Sequence, residues 1–129
     1  MAPHHACVWI DHREAKVFGI SADEIDGDIV HERPAPRHIR AKGEHLHPGK
    51  APLDRDFLKE VTSALDPYRA IVIVGPGSAR TELAGYMAEH SPAVMARRVW
   101  GIEPMDHPTD AQIAAAARKY FRAADRMHG

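Results

Sequence analysis

The sequence is short of the residues on which several common kinds of function depend. It holds a single cysteine, Cys7, among 129 residues, which excludes an intramolecular disulfide and a cysteine-based zinc site. That thiol sits in the apolar run Ala6-Cys7-Val8-Trp9-Ile10, where burial makes it inert rather than nucleophilic, and a reducing cytoplasm is the natural compartment. No apolar stretch approaches the roughly 20 residues that span a bilayer. The opening Met1-Ala2-Pro3-His4-His5 lacks a basic region followed by an apolar core, so neither export nor a membrane partner is expected. An excess of one charge is also missing: Lys+Arg 17 against Asp+Glu 18 leaves a net charge of −1. Global charge therefore does not drive the chain onto nucleic acid or an anionic membrane, and any such affinity has to be local.

What is present is an ordinary globular composition, with hydrophobic residues at 44% and charged residues at 27%. That balance and length read as one α/β domain over residues 1–129, since chains of roughly 100–150 residues form one core. Ala6 to Ile10 is short, apolar and β-prone, and after Asp11-His12-Arg13-Glu14 a second apolar segment runs from Ala15 to Ile20; together they predict a hairpin. Ile25 to Glu32 predicts a third antiparallel strand. Further on, Asp54 is expected to cap a helix carrying Phe57, Leu58, Val61 and Leu65, with Leu53 and Leu58 as its hydrophobic staple, until Asp66-Pro67 ends it. Ala70 to Val74 is apolar on both faces, as a central strand between helical layers requires. Ser78 is placed to cap a second helix bearing Leu83, Tyr86, Met87 and His90, which Ser91-Pro92 closes. Arg98 to Ile102 predicts another strand. Thr109-Asp110-Ala111-Gln112 fits a capping box for a last helix with Ile113, Ala116, Ala117, Tyr120, Phe121 and Ala124 on one side. The order β-β-β-loop-α-β-α-β-α implies a mixed five-stranded sheet, because parallel additions need crossover helices.

Residues 33–53 interrupt this pattern. Pro34, Pro36, Pro48 and Pro52, with Gly43 and Gly49, are too many breakers for a helix or a central strand, so the segment reads as one long loop. Long loops in compact domains are commonly functional. Between Arg33 and Lys50 lie Arg33, Arg37, Arg40, Lys42 and Lys50 against Glu44 alone, a local +4 that leaves −5 for the remainder. His38, His45 and His47 add positive charge below neutrality. Such a segment exchanges counterions for RNA phosphates with little sequence preference. No aromatic residue interleaves the cations, so base stacking is not expected of the loop itself.

The opening hairpin Val8-Trp9-Ile10-Asp11-His12-Arg13-Glu14-Ala15-Lys16-Val17-Phe18, the loop, and Ile73-Val74-Gly75-Pro76-Gly77-Ser78-Ala79-Arg80-Thr81-Glu82-Leu83 together resemble a known pattern. It is that of the middle domain of archaeal and eukaryotic class-1 peptide-chain release factors and of Pelota, and most of all the small single-domain bacterial "translational machinery proteins". The resemblance covers nearly the whole chain and implies a ribonuclease H-like, three-layer α/β fold. In release factors the loop before the first helix carries a Gly-Gly-Gln tripeptide that promotes peptidyl-tRNA hydrolysis. The corresponding stretch here, His38 to Lys50, contains neither that tripeptide nor any glutamine. The implied position is Pelota-like, with the fold kept and the hydrolytic tripeptide gone.

Other constellations are weighed on their chemistry. His45 and His47, with His38, offer imidazoles to a transition metal, but two histidines at that spacing are a weak motif and no metal or other cofactor is assigned. Gly75, Gly77 and Ser78 join a strand to a helix N-terminus, where free amides suit an anion, and Arg80 is placed to assist. The turn matches neither the P-loop nor the dinucleotide fingerprint. Asp11 invites comparison with the metal-binding carboxylates of ribonuclease H-like nucleases, yet Asp66 and Asp106 supply no companion spacing; ordering of the hairpin turn together with Arg13 explains it. Asp106-His107-Pro108 reads as the approach to the last helix.

The leading expectation is a non-enzymatic, cytoplasmic translation protein. It would contact ribosomal RNA, tRNA or another structured RNA through Arg37, His38, Arg40, Lys42, His45, His47 and Lys50. The alternatives are a phosphate- or nucleotide-binding domain or hydrolase built on Gly75 to Arg80, and a homo-oligomer whose loop orders against a neighbouring subunit.

Overall fold

The computed structural model describes residues 5–20, 37–40, 55–106 and 109–128. The first strand, β1 (His5–Ile10), is buried along its whole length, and it turns into β2 (Glu14–Ile20) through a tight hairpin. Asp11 makes that turn: its Oδ1 accepts from the backbone N–H of Arg13 at 2.8 Å and of Glu14 at 2.9 Å. An aspartate can hold a bend this way because its short side chain reaches the amides two and three residues ahead. The strands pair antiparallel from His5↔Ile20 to Ile10↔Ala15.

The third strand corrects the sequence expectation. The strand expected at Ile25 to Glu32 lies outside the described residues. The observed β3 (Arg37–Arg40) falls inside the segment read as a loop. It pairs antiparallel with β2, Glu14↔Arg40 to Val17↔Arg37, and among the described residues it is the edge strand on that side of the sheet. The prolines that forbid a central strand do not forbid this one, because an edge strand has a ladder on one side only and the breakers flank it. Ile39, 2% exposed, supplies the burial that seats it.

The first helix, α1 (Arg55–Leu65), then leads to β4 (Ala70–Gly75). The cap and staple positions Asp54 and Leu53 lie outside the described residues. β4 joins β1 in parallel, with Cys7↔Val72 and Val8↔Ile73 in register. A second helix, α2 (Ala79–His90), is followed directly by a short α3 (Pro92–Arg98) that the sequence reading missed. In sequence, Ser91-Pro92 has the form of a helix stop. Pro92 instead opens α3, where a proline's missing N–H costs nothing. None of the residues of α3 is fully buried, so no apolar stripe announced it. Strand β5 (Val99–Pro104) pairs parallel with β4, and α4 (Asp110–His128) ends the order. Its capping box forms as expected: the Gln112 N–H donates to Thr109 Oγ1 at 3.2 Å and the Thr109 N–H to Gln112 Oε1 at 2.9 Å.

The sheet is mixed and five-stranded, ordered β3-β2-β1-β4-β5. One face carries Ala6, Val8, Ile10, Val17, Ile71 and Ile73 under α1 and α2; the other carries Cys7, Trp9, Phe18, Val72 and Val74 under α4. This is the three-layer α/β arrangement, and both apolar faces of β4 are accounted for. Each fully buried Leu, Ile, Val or Phe side chain contributes about 1.5–3 kcal/mol. The two helices on the first face also meet through polar groups. Arg55 Nη2 donates to His90 Nε2 at 2.8 Å, and the His90 ring lies 4.3 Å from that of Tyr86.

Candidate functional site

Two places emerge from the residues singled out in the sequence: the β3 edge and the β4–α2 turn. At the edge, β3 brings Arg37, His38 and Arg40 alongside β2. His38 Nε2 contacts Glu14 Oε1, both side chains being part-exposed, and His38 stands opposite Lys16 in register. Lys16 was not singled out in the sequence. Its ammonium donates to Asp110 Oδ1 at 2.9 Å and lies 5.8 Å from the centre of the Trp9 ring, so β2, β1 and the start of α4 meet there. Only the period-two alternation of β2 could have hinted at it, since Lys16 sits between the buried Ala15 and Val17. Lys42, His45, His47 and Lys50 lie outside the described residues.

The β4–α2 turn is built from close backbone approach. Gly75 has φ +149°, and a Cβ there would come within 2.1 Å of the Ile10 carbonyl oxygen; no other residue fits where β4 passes β1. Gly77 has φ +60°, the left-handed region that glycine adopts without penalty. The Gly75 carbonyl accepts from the Met105 N–H at 3.1 Å and from Arg80 Nη1 at 3.0 Å, and Arg80 Nη1 also reaches the Gly77 carbonyl at 2.5 Å. Arg80 is thus folded back across the turn. Ser78 stands at the N-cap position of α2 but makes no side-chain capping bond. Its hydroxyl donates instead to Glu82 Oε2 at 3.1 Å, and the same oxygen lies 2.8 Å from His12 Nε2. The residues expected to cradle an anion are therefore joined to one another and to a carboxylate within the first turn of the helix, which disfavours negative charge nearby.

The remaining candidates have structural roles. Asp11 holds the hairpin turn through the Arg13 and Glu14 amides, and Asp66 lends its backbone carbonyl to Arg98 Nη1 at 3.0 Å. The Asp106 carbonyl accepts from the Trp9 indole at 2.9 Å; His107 lies outside the described residues. Among the described residues no group of three or more His, Cys, Asp or Glu side chains converges to hold a metal ion. Cys7 is buried, and burial pushes its thiol up to about 12. It lines a largely apolar cavity of about 180 Å³ with Val72, Val74, Met105, Ala117 and Tyr120. Tyr120 closes that side by donating to the Trp100 carbonyl at 2.8 Å, lying so close over Gly101 that a Cβ there would meet its hydroxyl at 2.1 Å. Burial, then Glu103, raises the Tyr120 phenol above its ordinary value. No described helix is long and apolar enough to cross a membrane.

No protein-family model matches the sequence, and no curated protein matches it. The fold, however, has counterparts among solved structures. Pelota of Archaeoglobus fulgidus superposes with a TM-score of 0.58 at 12% identity, over 99% of this chain and 37% of Pelota's own. S. cerevisiae Dom34, a translation termination-like factor involved in RNA quality control pathways and interacting with Hbs1, gives 0.47 at 13% identity, over 95% of this chain and 38% of its own. The chain thus spans well under half the length of either protein. Its fold is Pelota-like, a mixed-sheet α/β arrangement.

Proposed function

We propose that the chain is a translation-associated, non-enzymatic RNA-contacting module of the cytoplasm. It engages the ribosome or another structured RNA through the basic stretch 33–50. The observation that carries this reading is that Arg37, His38 and Arg40 stand on an edge strand of the sheet, at the border of a stretch with net charge +4. Cations concentrated at one border of a fold gather phosphates through counterion release without needing a base code. The Pelota-like fold and the release-factor resemblance of the hairpin and the β4–α2 segment support a role in translation, and the lack of Gly-Gly-Gln supports a role other than peptidyl-tRNA hydrolysis.

The test is sedimentation of the tagged protein from its own cell lysate on sucrose gradients at low and moderate salt. A variant with Arg37, Arg40, Lys42 and Lys50 replaced by glutamine runs alongside. Salt-sensitive migration with a ribosomal subunit, lost in the variant, is the expected result. A protein that stays at the top of the gradient at every salt concentration, or a variant that migrates like the native chain, defeats the proposal.

A further inference from the structure

Resting on the RNA reading above, we infer that Arg55, His90 and Tyr86 form a stacking platform for an unpaired RNA base. The basic stretch itself contains no aromatic residue, so by itself it would grip phosphates and ignore bases. The fold supplies what the stretch lacks. Arg55 is the first residue of α1, five positions after Lys50 in sequence, and its guanidinium reaches His90, the last residue of α2, with Nη2 2.8 Å from Nε2. The His90 ring in turn lies against Tyr86, with centroids 4.3 Å apart and planes 35° from parallel.

Three features make this more than an ordinary pair one turn apart on a helix. First, the residues come from two helices, and Arg55 approaches the imidazole at its ring edge, at Nε2. One ring face is directed toward Tyr86, and on this reading the opposite face receives the base. Second, Arg55 and His90 are both exposed, while Tyr86 is half-buried and packed against the core, so the platform is anchored below and open above. Third, a charge–dipole role for a histidine at a helix C-terminus requires the protonated ring. Here Nε2 already faces a guanidinium at 2.8 Å, so the ring is turned to a cation. The arrangement holds a flat ring with a cation at its edge, the combination on which bases stack. Glu89 and Asp56 flank it as exposed carboxylates, so phosphates are better held by the basic stretch that precedes Arg55 in sequence than by the platform. A base in a duplex is covered on both faces by its neighbours, so the site takes a single-stranded nucleotide.

The experiment uses the full chain with a short single-stranded RNA carrying 2-aminopurine and with a duplex RNA, binding being followed by anisotropy across a salt series. Native protein is expected to bind the single strand more tightly and to quench the 2-aminopurine. His90→Gln, at an exposed position, is expected to weaken single-strand binding about tenfold, leave duplex binding and the salt slope unchanged, and abolish the quenching. His90→Phe restores the flat ring and is expected to recover most of the loss. Salt-dependent binding of both RNAs with no effect of His90→Gln overturns the platform and leaves the basic stretch standing. If neither RNA binds at low salt, the RNA reading and the platform fall together.

Discussion

The two polar regions that stand out in the sequence are used in opposite ways. At the β4–α2 turn the carbonyls of Gly75 and Gly77 are taken by Arg80 and the Met105 amide, Ser78 is bonded to Glu82, and Glu82 meets His12. The polar groups there serve the fold itself. At the β3 edge a single buried residue, Ile39, and the His38–Glu14 contact seat a four-residue strand, and the stretch around it holds five cations against Glu44 alone. A glycine-rich strand-to-helix turn has conformational reasons of its own: here Gly75 is required because β4 and β1 approach too closely for a side chain, and Gly77 because its φ is +60°. The excess of positive charge in the stretch around β3 is what the proposal of an RNA contact rests on.

The comparison is broken most directly at Gly75. A Gly75→Ala change places a methyl 2.1 Å from the Ile10 carbonyl at φ +149°, and it is expected to cost at least about 3 kcal/mol in urea denaturation or to prevent folding. A loss under about 0.5 kcal/mol would show that the turn relaxes easily and is not built for packing. The opposite pattern is expected at the edge. Glutamine at Arg37, Arg40, Lys42 and Lys50 together is expected to reduce the dependence of log affinity for single-stranded RNA on log salt by about 3. The same variant is expected to shift the urea midpoint by no more than about 1 kcal/mol of stability.

Cys7 marks the inward extreme. Burial raises its thiol from 9.0 to about 12, so the stability it contributes is complete below the unfolded value and is lost as pH rises toward the folded one. Between the two, the native chain is expected to lose about 1.4 kcal/mol per pH unit more than Cys7→Ala, read from urea midpoints across that range. Equal slopes in the two proteins would mean that the thiol ionises in the folded state. The smallest effect on RNA affinity is expected at Arg80. Replacing it with alanine removes two hydrogen bonds from a half-buried group and is expected to cost about 1–2 kcal/mol, with RNA affinity unchanged in the same binding assay. A fall in affinity comparable to that of the four-cation variant would move the turn from structure to contact.

Much of the fold was legible because its signals are local. The apolar runs Ala6 to Ile10 and Ala15 to Ile20, the unbroken Ala70 to Val74, and the Thr109/Gln112 box each appear in the structure within a residue or two of where the pattern put them. Helix α3 was not legible, since a seven-residue helix with no fully buried side chain leaves no period to read. Nor was β3: four residues among prolines become a strand only because β2 offers an unpaired ladder beside them. His90 fell on the expected apolar stripe of α2 with Leu83, Tyr86 and Met87, yet Leu83 and Met87 are buried while His90 is exposed and turned to Arg55. Spacing assigns a face of a helix but not the depth at which that face ends.

The sequence by itself therefore determined the class of fold, the central strand, the capping of the last helix, the inert setting of Cys7 and the place where positive charge concentrates. Each follows from propensity, period or composition acting over a few neighbours. Only the tertiary structure decided that Glu82 at the β4–α2 turn meets His12, that Lys16 stands opposite His38 of β3, and that Arg55 meets His90 across 35 positions. Those relations depend on which strand lies beside which and how helices cross a twisted sheet, and no window of sequence contains both partners.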